Sequence, residues 1–146
     1  MKKEIISTIA LFGIVTSAIY AMNSEDISIV NRQWIDHMPT SDKELASIWV
    51  LVGDEDGMGA KAEISQWRQH IDMFFWEGNE TIHASFPQDE SQVVFSNIKA
   101  YECDVPPFEL CLEMEVDNTM KKFYSRWDWE VDSLNKVGEM IINENI

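Results

Sequence analysis

Basic residues are scarce in this chain: 11 Lys and Arg stand against 26 Asp and Glu, a formal charge of −15 over 146 residues. A chain so acidic repels nucleic acid and anionic lipid, and its charge reads equally as attraction toward basic partners or as a well-solvated surface. It has no basic patch and no glycine loop of the kind that cradles phosphate, which removes nucleotide and nucleic-acid binding from the candidate functions. The three histidines, His37, His70 and His83, form neither an HExxH nor an HxH pair, so no zinc site is written in the sequence, and each reads as a surface or structural residue. No serine sits in a strand-turn-helix elbow, so a hydrolase triad has no support. Glycosidase carboxylates keep no fixed sequence spacing, and with this many acids no pair stands out. Internal repeats and low-complexity linkers are also lacking. The residues alone indicate no catalytic centre, no metal and no cofactor.

Long apolar runs are short of what a membrane span needs. After Met1-Lys2-Lys3 the stretch Ile5 to Tyr20 is uncharged for 16 residues and ends in the small residues Ser17, Ala18 and Ala21. A spanning helix requires roughly 18 to 20 apolar residues. A basic start, a short apolar core and a small residue before the polar Asn23 to Asp26 predict a secretory signal peptide over residues 1–21, cleaved after Ala21. No cysteine follows the apolar run, so a lipoprotein anchor is not expected. Removal of Lys2, Lys3 and Glu4 with that segment takes the 11 basic and 26 acidic residues to 9 and 25, a net charge near −16. Residues 22–146 are then expected to form one globular domain with a modest core.

Cysteine is nearly absent too. Cys103 and Cys111 are the only two, without a Cys-x-x-Cys spacing and with no histidine nearby, which argues against a redox pair or a metal site. An even count in an exported chain favours a disulfide. Asp104-Val105-Pro106-Pro107 reads as the turn that brings the two together.

What the chain does contain is alternation. From Gln92 to Val131, three runs change between apolar and polar with a period of two. Phe108, Leu110, Leu112, Met114 and Val116 fall on one side and Glu109, Cys111, Glu113 and Glu115 on the other. In the third run Phe123, Ser125, Trp127, Trp129 and Val131 share a face, which places both tryptophans in the core. Such alternation predicts consecutive half-buried antiparallel strands. Upstream, Ile48-Trp49-Val50-Leu51-Val52 reads as a buried strand stopped by Gly53, with a helical reading also open. From Ala60 to Trp76 the signal is mixed: Ile64, Trp67 and Ile71 suit a helix face, and Met73 to Trp76 suit a strand. A turn over Glu77 to Glu80, a strand over Thr81 to Phe86 and a turn over Pro87 to Glu90 follow. A last short run covers Val137 to Ile142. Before all of these, Ile27, Val30, Trp34 and Met38 recur at spacings of three, four and four, which predicts a helix from Ser24 to Met38 ended by Pro39. Ser41 and Glu44 resemble a capping box for a short turn. The fold expected is mainly β within the α+β class: an antiparallel meander curled into a small barrel or sandwich, with an N-terminal helix.

Between two strands lies Gly53-Asp54-Glu55-Asp56-Gly57-Met58-Gly59, an acidic loop framed by glycines. It is not a calcium loop of the EF-hand type, because the twelfth position counted from Asp54 is Ser65 where a bidentate Glu is needed. It reads either as a solvated loop or as one that enters a partner's cleft. Trp76, beside the Glu77 to Glu80 turn, is open to the same question, since tryptophan is enriched at interface hot spots.

Two resemblances follow from these stretches. Trp49 in an early strand and the aromatic hairpin from Phe74 to Ile82 resemble a lipocalin, although the Gly-x-Trp signature has Ser47 in place of its glycine; this implies a periplasmic carrier of a small hydrophobic ligand. The stretches Trp49 to Gly59 (WVLVGDEDGMG), Tyr101 to Cys111 (YECDVPPFELC) and Phe123 to Asp132 (FYSRWDWEVD) resemble the periplasmic immunity proteins that protect bacteria against muramidase-type effectors of their own type VI secretion systems. That resemblance implies a non-enzymatic inhibitor in the periplasm. It would plug the active-site cleft of a cognate peptidoglycan-cutting toxin, use no cofactor, and possess in many cases a homodimeric state. Within it, Asp54, Glu55, Asp56 and Met58 are the first candidates for the element that enters the cleft, and Trp76 and Asn79 the second. The discriminating feature is the aromatic face: a filled core fits the inhibitor, a hollow lined by Trp and Phe fits the carrier.

Overall fold

The computed structural model describes residues 27–131; the apolar N-terminal segment, its cleavage point and the Val137 to Ile142 run lie outside the described residues. Period-two patterning becomes eight strands taken in chain order: β1 Arg32–Ile35, β2 Ala46–Gly53, β3 Asp56–Ile64, β4 Gln69–Gly78, β5 Ile82–Phe86, β6 Ser91–Val105, β7 Phe108–Val116 and β8 Thr119–Ser125. Each pairs antiparallel with the next and β1 pairs with β8, so the meander closes into a barrel and not a sandwich. Closure gives every strand two neighbours, although β5 pairs with β4 only from Phe75 to Gly78 and β1 pairs with β8 only at Tyr124.

No helix occurs among the described residues. The helix expected from Ser24 to Met38 is replaced, over its described part, by an irregular lead and β1, with Met38 exposed in the following loop. Asn31, at φ 56°, is already outside the helical region. Beyond it, the register Arg32 to Leu51 through Ile35 to Ile48 gives β1 a long-range partner, and that pairing outweighs a local three-four spacing.

Two clusters of apolar residues result. Inside the barrel, the Trp49 ring lies 5.7 Å from Phe74, 6.2 Å from Phe86 and 5.2 Å from Phe95, with Phe74 and Phe86 5.0 Å apart. Trp34, Leu51, Trp76, Ile82, Ala84, Leu110, Leu112, Met114 and Phe123 complete this core. Gly59 belongs to it by necessity, because a Cβ there would come within 2.3 Å of the Phe74 ring. The alternate residues of β2 and β3 form the second cluster on the outer face: Ile48, Val50, Ala60, Ala62 and Ile64, joined by Ile35, Phe108, Trp129 and Val131. Burial on both faces explains why Ile48 to Val52 is continuously apolar while β7 alternates.

The third run is not one strand to Val131. β8 stops at Ser125, a turn over Arg126 to Asp128 follows, and Trp129 N–H donates back to the Arg126 carbonyl at 3.2 Å. The chain then rejoins β1: Gln33 N–H donates to Trp129 C=O at 3.1 Å and Val131 N–H to Asn31 C=O at 2.9 Å. Trp129 is buried as expected, but the bend turns Trp127 out of the core and places its ring 5.5 Å beneath the Arg32 guanidinium. Arg32 donates to the Arg126 carbonyl and to Glu130 at 2.7 Å; burial pulls its pKa down, and the Glu130 carboxylate opposes that. Cys103 and Cys111 form the expected disulfide, Cα atoms 5.8 Å apart, across a β6–β7 hairpin whose register shifts between Glu102 and Val105.

Candidate functional site

In a barrel traced in chain order, successive connections alternate between its ends. The β2–β3, β4–β5 and β6–β7 connections therefore share one end, and the two stretches marked as candidates become neighbours. They are joined by backbone: Gly78 N–H donates to the Glu55 carbonyl at 2.9 Å. The stretch Gly53 to Gly59 is a tight hairpin and not an extended loop. Gly53 pairs with Gly57 and Val52 with Met58, so only Asp54 and Glu55 occupy the turn while Asp56 opens β3. Gly53 and Gly78 adopt φ of 140° and 122°, and a Cβ on either would lie within about 2 Å of a carbonyl oxygen, so both turns require glycine. Asn31 fastens the first turn from the side, its amide donating to Gly53 C=O at 2.9 Å and accepting from Gly53 N–H at 3.0 Å.

Trp76 holds the arrangement from within. Its side chain is 3% exposed, and its indole N–H is shared between the carbonyls of Val52 at 3.2 Å and Met58 at 3.1 Å. It ties β4 to both strands of the acidic hairpin and offers no free ring to a partner. The outward aromatic is its neighbour Phe75, 54% exposed and directly opposite Met58. Alternation along β4 carries that signal, because Phe74 and Trp76 must share one face and Phe75 the other.

The candidates line two adjacent hollows with Trp76 between them. Asp54, Glu55 and Asn79, together with Glu80 and Asn97, border an open cavity of about 690 Å³ at the barrel mouth, closed on one side by Ile27 to Val30. Asp56 and Met58 border a second of about 520 Å³ on the outer wall, with Phe75, Glu77 and His83. No Lys or Arg lines either hollow. Among the described residues no group of His, Cys, Asp or Glu is placed to hold a metal ion. His37 lies 2.9 Å from Asp36 and 3.2 Å from Glu44, and His70 3.1 Å from Asp72, both in local pairs.

The barrel interior is occupied by the packed rings of Trp49, Phe74, Phe86 and Phe95. A carrier needs that space for its ligand. Searched against known protein families, curated proteins and solved structures, the chain matches none.

Proposed function

We propose that the chain is a periplasmic immunity protein that binds a cognate muramidase-type toxin of a type VI secretion system and blocks its active-site cleft, with the acidic barrel end as the inserted surface. The observation that supports this most is the junction of the two candidate turns into one backbone-braced, cation-free unit. Asp54 and Glu55 stand at its tip and Asn79 and Glu80 beside them. A preorganised surface loses little freedom on docking, and carboxylates facing a basic partner accelerate capture. Carboxylates and an amide at the tip can also occupy the hydrogen-bonding positions of a substrate sugar. The protein supplies no chemistry of its own in this reading; it excludes substrate.

The test is growth of cells that export a muramidase-type effector, with and without this chain directed to the same compartment. Rescue by the wild-type chain that is lost in an Asp54→Ala, Glu55→Ala, Asp56→Ala triple variant, with an unchanged melting temperature, is the expected result. Equal rescue by the triple variant would remove the acidic turn from the contact.

A further inference from the structure

We propose that the outer wall formed by β3, β4 and β5 beside the acidic end is a second docking site, which takes a segment of a basic protein carrying an apolar side chain next to a lysine or arginine. The inference rests on the immunity reading for who the partner is, but not for what chemistry it presents. Two cross-strand rows define the site. Met58, Phe75 and Ser85 are direct partners in one row, with Met58 38% and Phe75 54% exposed. In the next row Asp56 lies opposite Glu77, and Glu77 opposite His83. The two rows bound the hollow of about 520 Å³.

Each row has an unmet requirement. Like charges directly opposite on a sheet face repel, and among the described residues neither Asp56 nor Glu77 has an ion-pair partner. A cation between them relieves the repulsion. Phe75 and Met58 continue the apolar outer face of β2 to β4, whose neighbouring members Val52 and Met73 are packed against the second core cluster while these two stay uncovered. An apolar side chain covers them, and the sulfur of Met58 adapts to its shape. Because β4 is paired on both sides at Phe75 and Glu77, with β3 and with β5, recognition there must run through side chains and not through strand addition. A second copy of this chain is the wrong occupant: two-fold docking would bring the Asp56–Glu77 rows of two molecules, each of formal charge −15, against one another.

The test uses a phage-displayed library of random dodecapeptides selected on the full chain. Enriched peptides should combine Lys or Arg with an aliphatic or aromatic residue, and their affinity should fall about tenfold or more on Phe75→Asp and on Glu77→Lys while persisting on Asp54→Asn/Glu55→Gln. Both substituted side chains are exposed; melting curves verify folding, and Met58→Asp serves in place of a variant that fails to fold. An absence of enrichment, acidic or uncharged winners, or winners that bind Phe75→Asp as tightly as wild type would overturn the proposal. So would a dimer seen by light scattering that Phe75→Asp abolishes. Loss of growth rescue with every toxin, alongside basic peptides that need Phe75, would sink the immunity reading and leave this site standing.

Discussion

At the barrel end that carries Asp54 and Asn79, a backbone bond between two turns is braced by buried side chains; at the end that carries Trp67, a like backbone bond, Gln66 N–H to the Asp42 carbonyl at 3.0 Å, is braced by exposed ones. The first has Gly78 bonded to Glu55, Asn31 bonded twice to Gly53, and Trp76 beneath both strands of the hairpin. The second has the Thr40 backbone and hydroxyl bonded to Glu44 at 2.7 and 2.9 Å, His37 between Asp36 and Glu44, and the Trp67 indole reaching Asp42 at 3.3 Å. Trp67 is 73% exposed and Trp76 is 3% exposed. Two tryptophans toward opposite ends of one barrel thus serve opposite purposes: one sets the shape of a surface, the other lies on it. Buried bracing and acidic charge without Lys or Arg coincide at the first end only, because Lys43 and Arg68 sit in the connections of the second, and this is why the first is the better candidate for a plug.

The contrast breaks most sharply at those two residues. Trp76→Ala removes a buried ring and leaves the Val52 and Met58 carbonyls without their shared donor, so a loss of about 3–5 kcal/mol is expected in urea unfolding. On the proposed function, toxin inhibition should go with it although the ring is buried. Trp67→Ala should change stability by about 0.5 kcal/mol or less. Similar losses for the two would mean that the ends are not built differently.

Next in size is the disulfide. Cys103 and Cys111 are separated by 8 positions, and opening so short a loop by paired serine substitution should lower stability by about 2–3 kcal/mol on the chain-entropy model. The bridge lies on the β6–β7 hairpin, whose turn shares the acidic end, so its removal should loosen that end before the other. Hydrogen exchange faster at Phe108 to Leu110 than at Met38 to Leu45, relative to wild type, is the expected pattern; the reverse order would contradict it.

How far this architecture can be read from residues depends on whether the deciding contact is local. The alternation of Phe108 to Val116, the two-sided run Ile48 to Val52 and the Cys103–Cys111 bridge are local patterns, and each appears where the sequence places it. β1 is different: its helical spacing is a coincidence of Ile27, Val30, Trp34 and Met38, and what decides it is pairing with Leu51 to Ile48, far along the chain. The bend at Arg126 to Asp128 carries no glycine or proline to announce it, so Trp127 and Trp129 look alike until the chain turns back to β1. The candidate turns were legible one at a time. Their contact was not, because it follows from the parity of an eight-stranded closure and the strand count was not fixed by the sequence. Phe75 was hidden for a related reason: with aromatics on both faces of β4, alternation tells that the faces differ but not which is inside.

Asn31 gives a smaller effect that sharpens the comparison. Its side chain makes two hydrogen bonds to Gly53, and its own φ of 56° suits Asn or Gly. Asn31→Gly keeps the backbone and loses the bonds, at about 1–2 kcal/mol. Asn31→Ala adds strain to the same loss and should be worse. If the two were equal, the hydrogen bonds and not the backbone would carry the whole effect.

The smallest effect belongs to the opposite end and concerns pH. Glu44 accepts from the Thr40 N–H and hydroxyl, and these bonds, the backbone one foremost, hold its carboxyl below the usual range against desolvation, with His37 adding a smaller pull in the same direction. A depressed folded pKa means that the contribution is present above the unfolded value and is lost as pH falls through the folded one. The Thr40 contact should therefore survive through the ordinary carboxylate range, about 4.3 for a free Glu, and open only in stronger acid. The Thr40 amide resonance followed against pH reads this directly, with a midpoint below that of a solvated Glu. A midpoint at or above it would show that Thr40 does not bind the carboxylate. The acidic end offers the control: Gly78 N–H to Glu55 C=O is a backbone bond with no titrating partner, so the Gly78 amide should stay protected from solvent across the same range. A joint response of Thr40 and Gly78 would mean that acid opens the barrel as a whole, and the separation between an end braced by exposed side chains and one braced by buried side chains would fail.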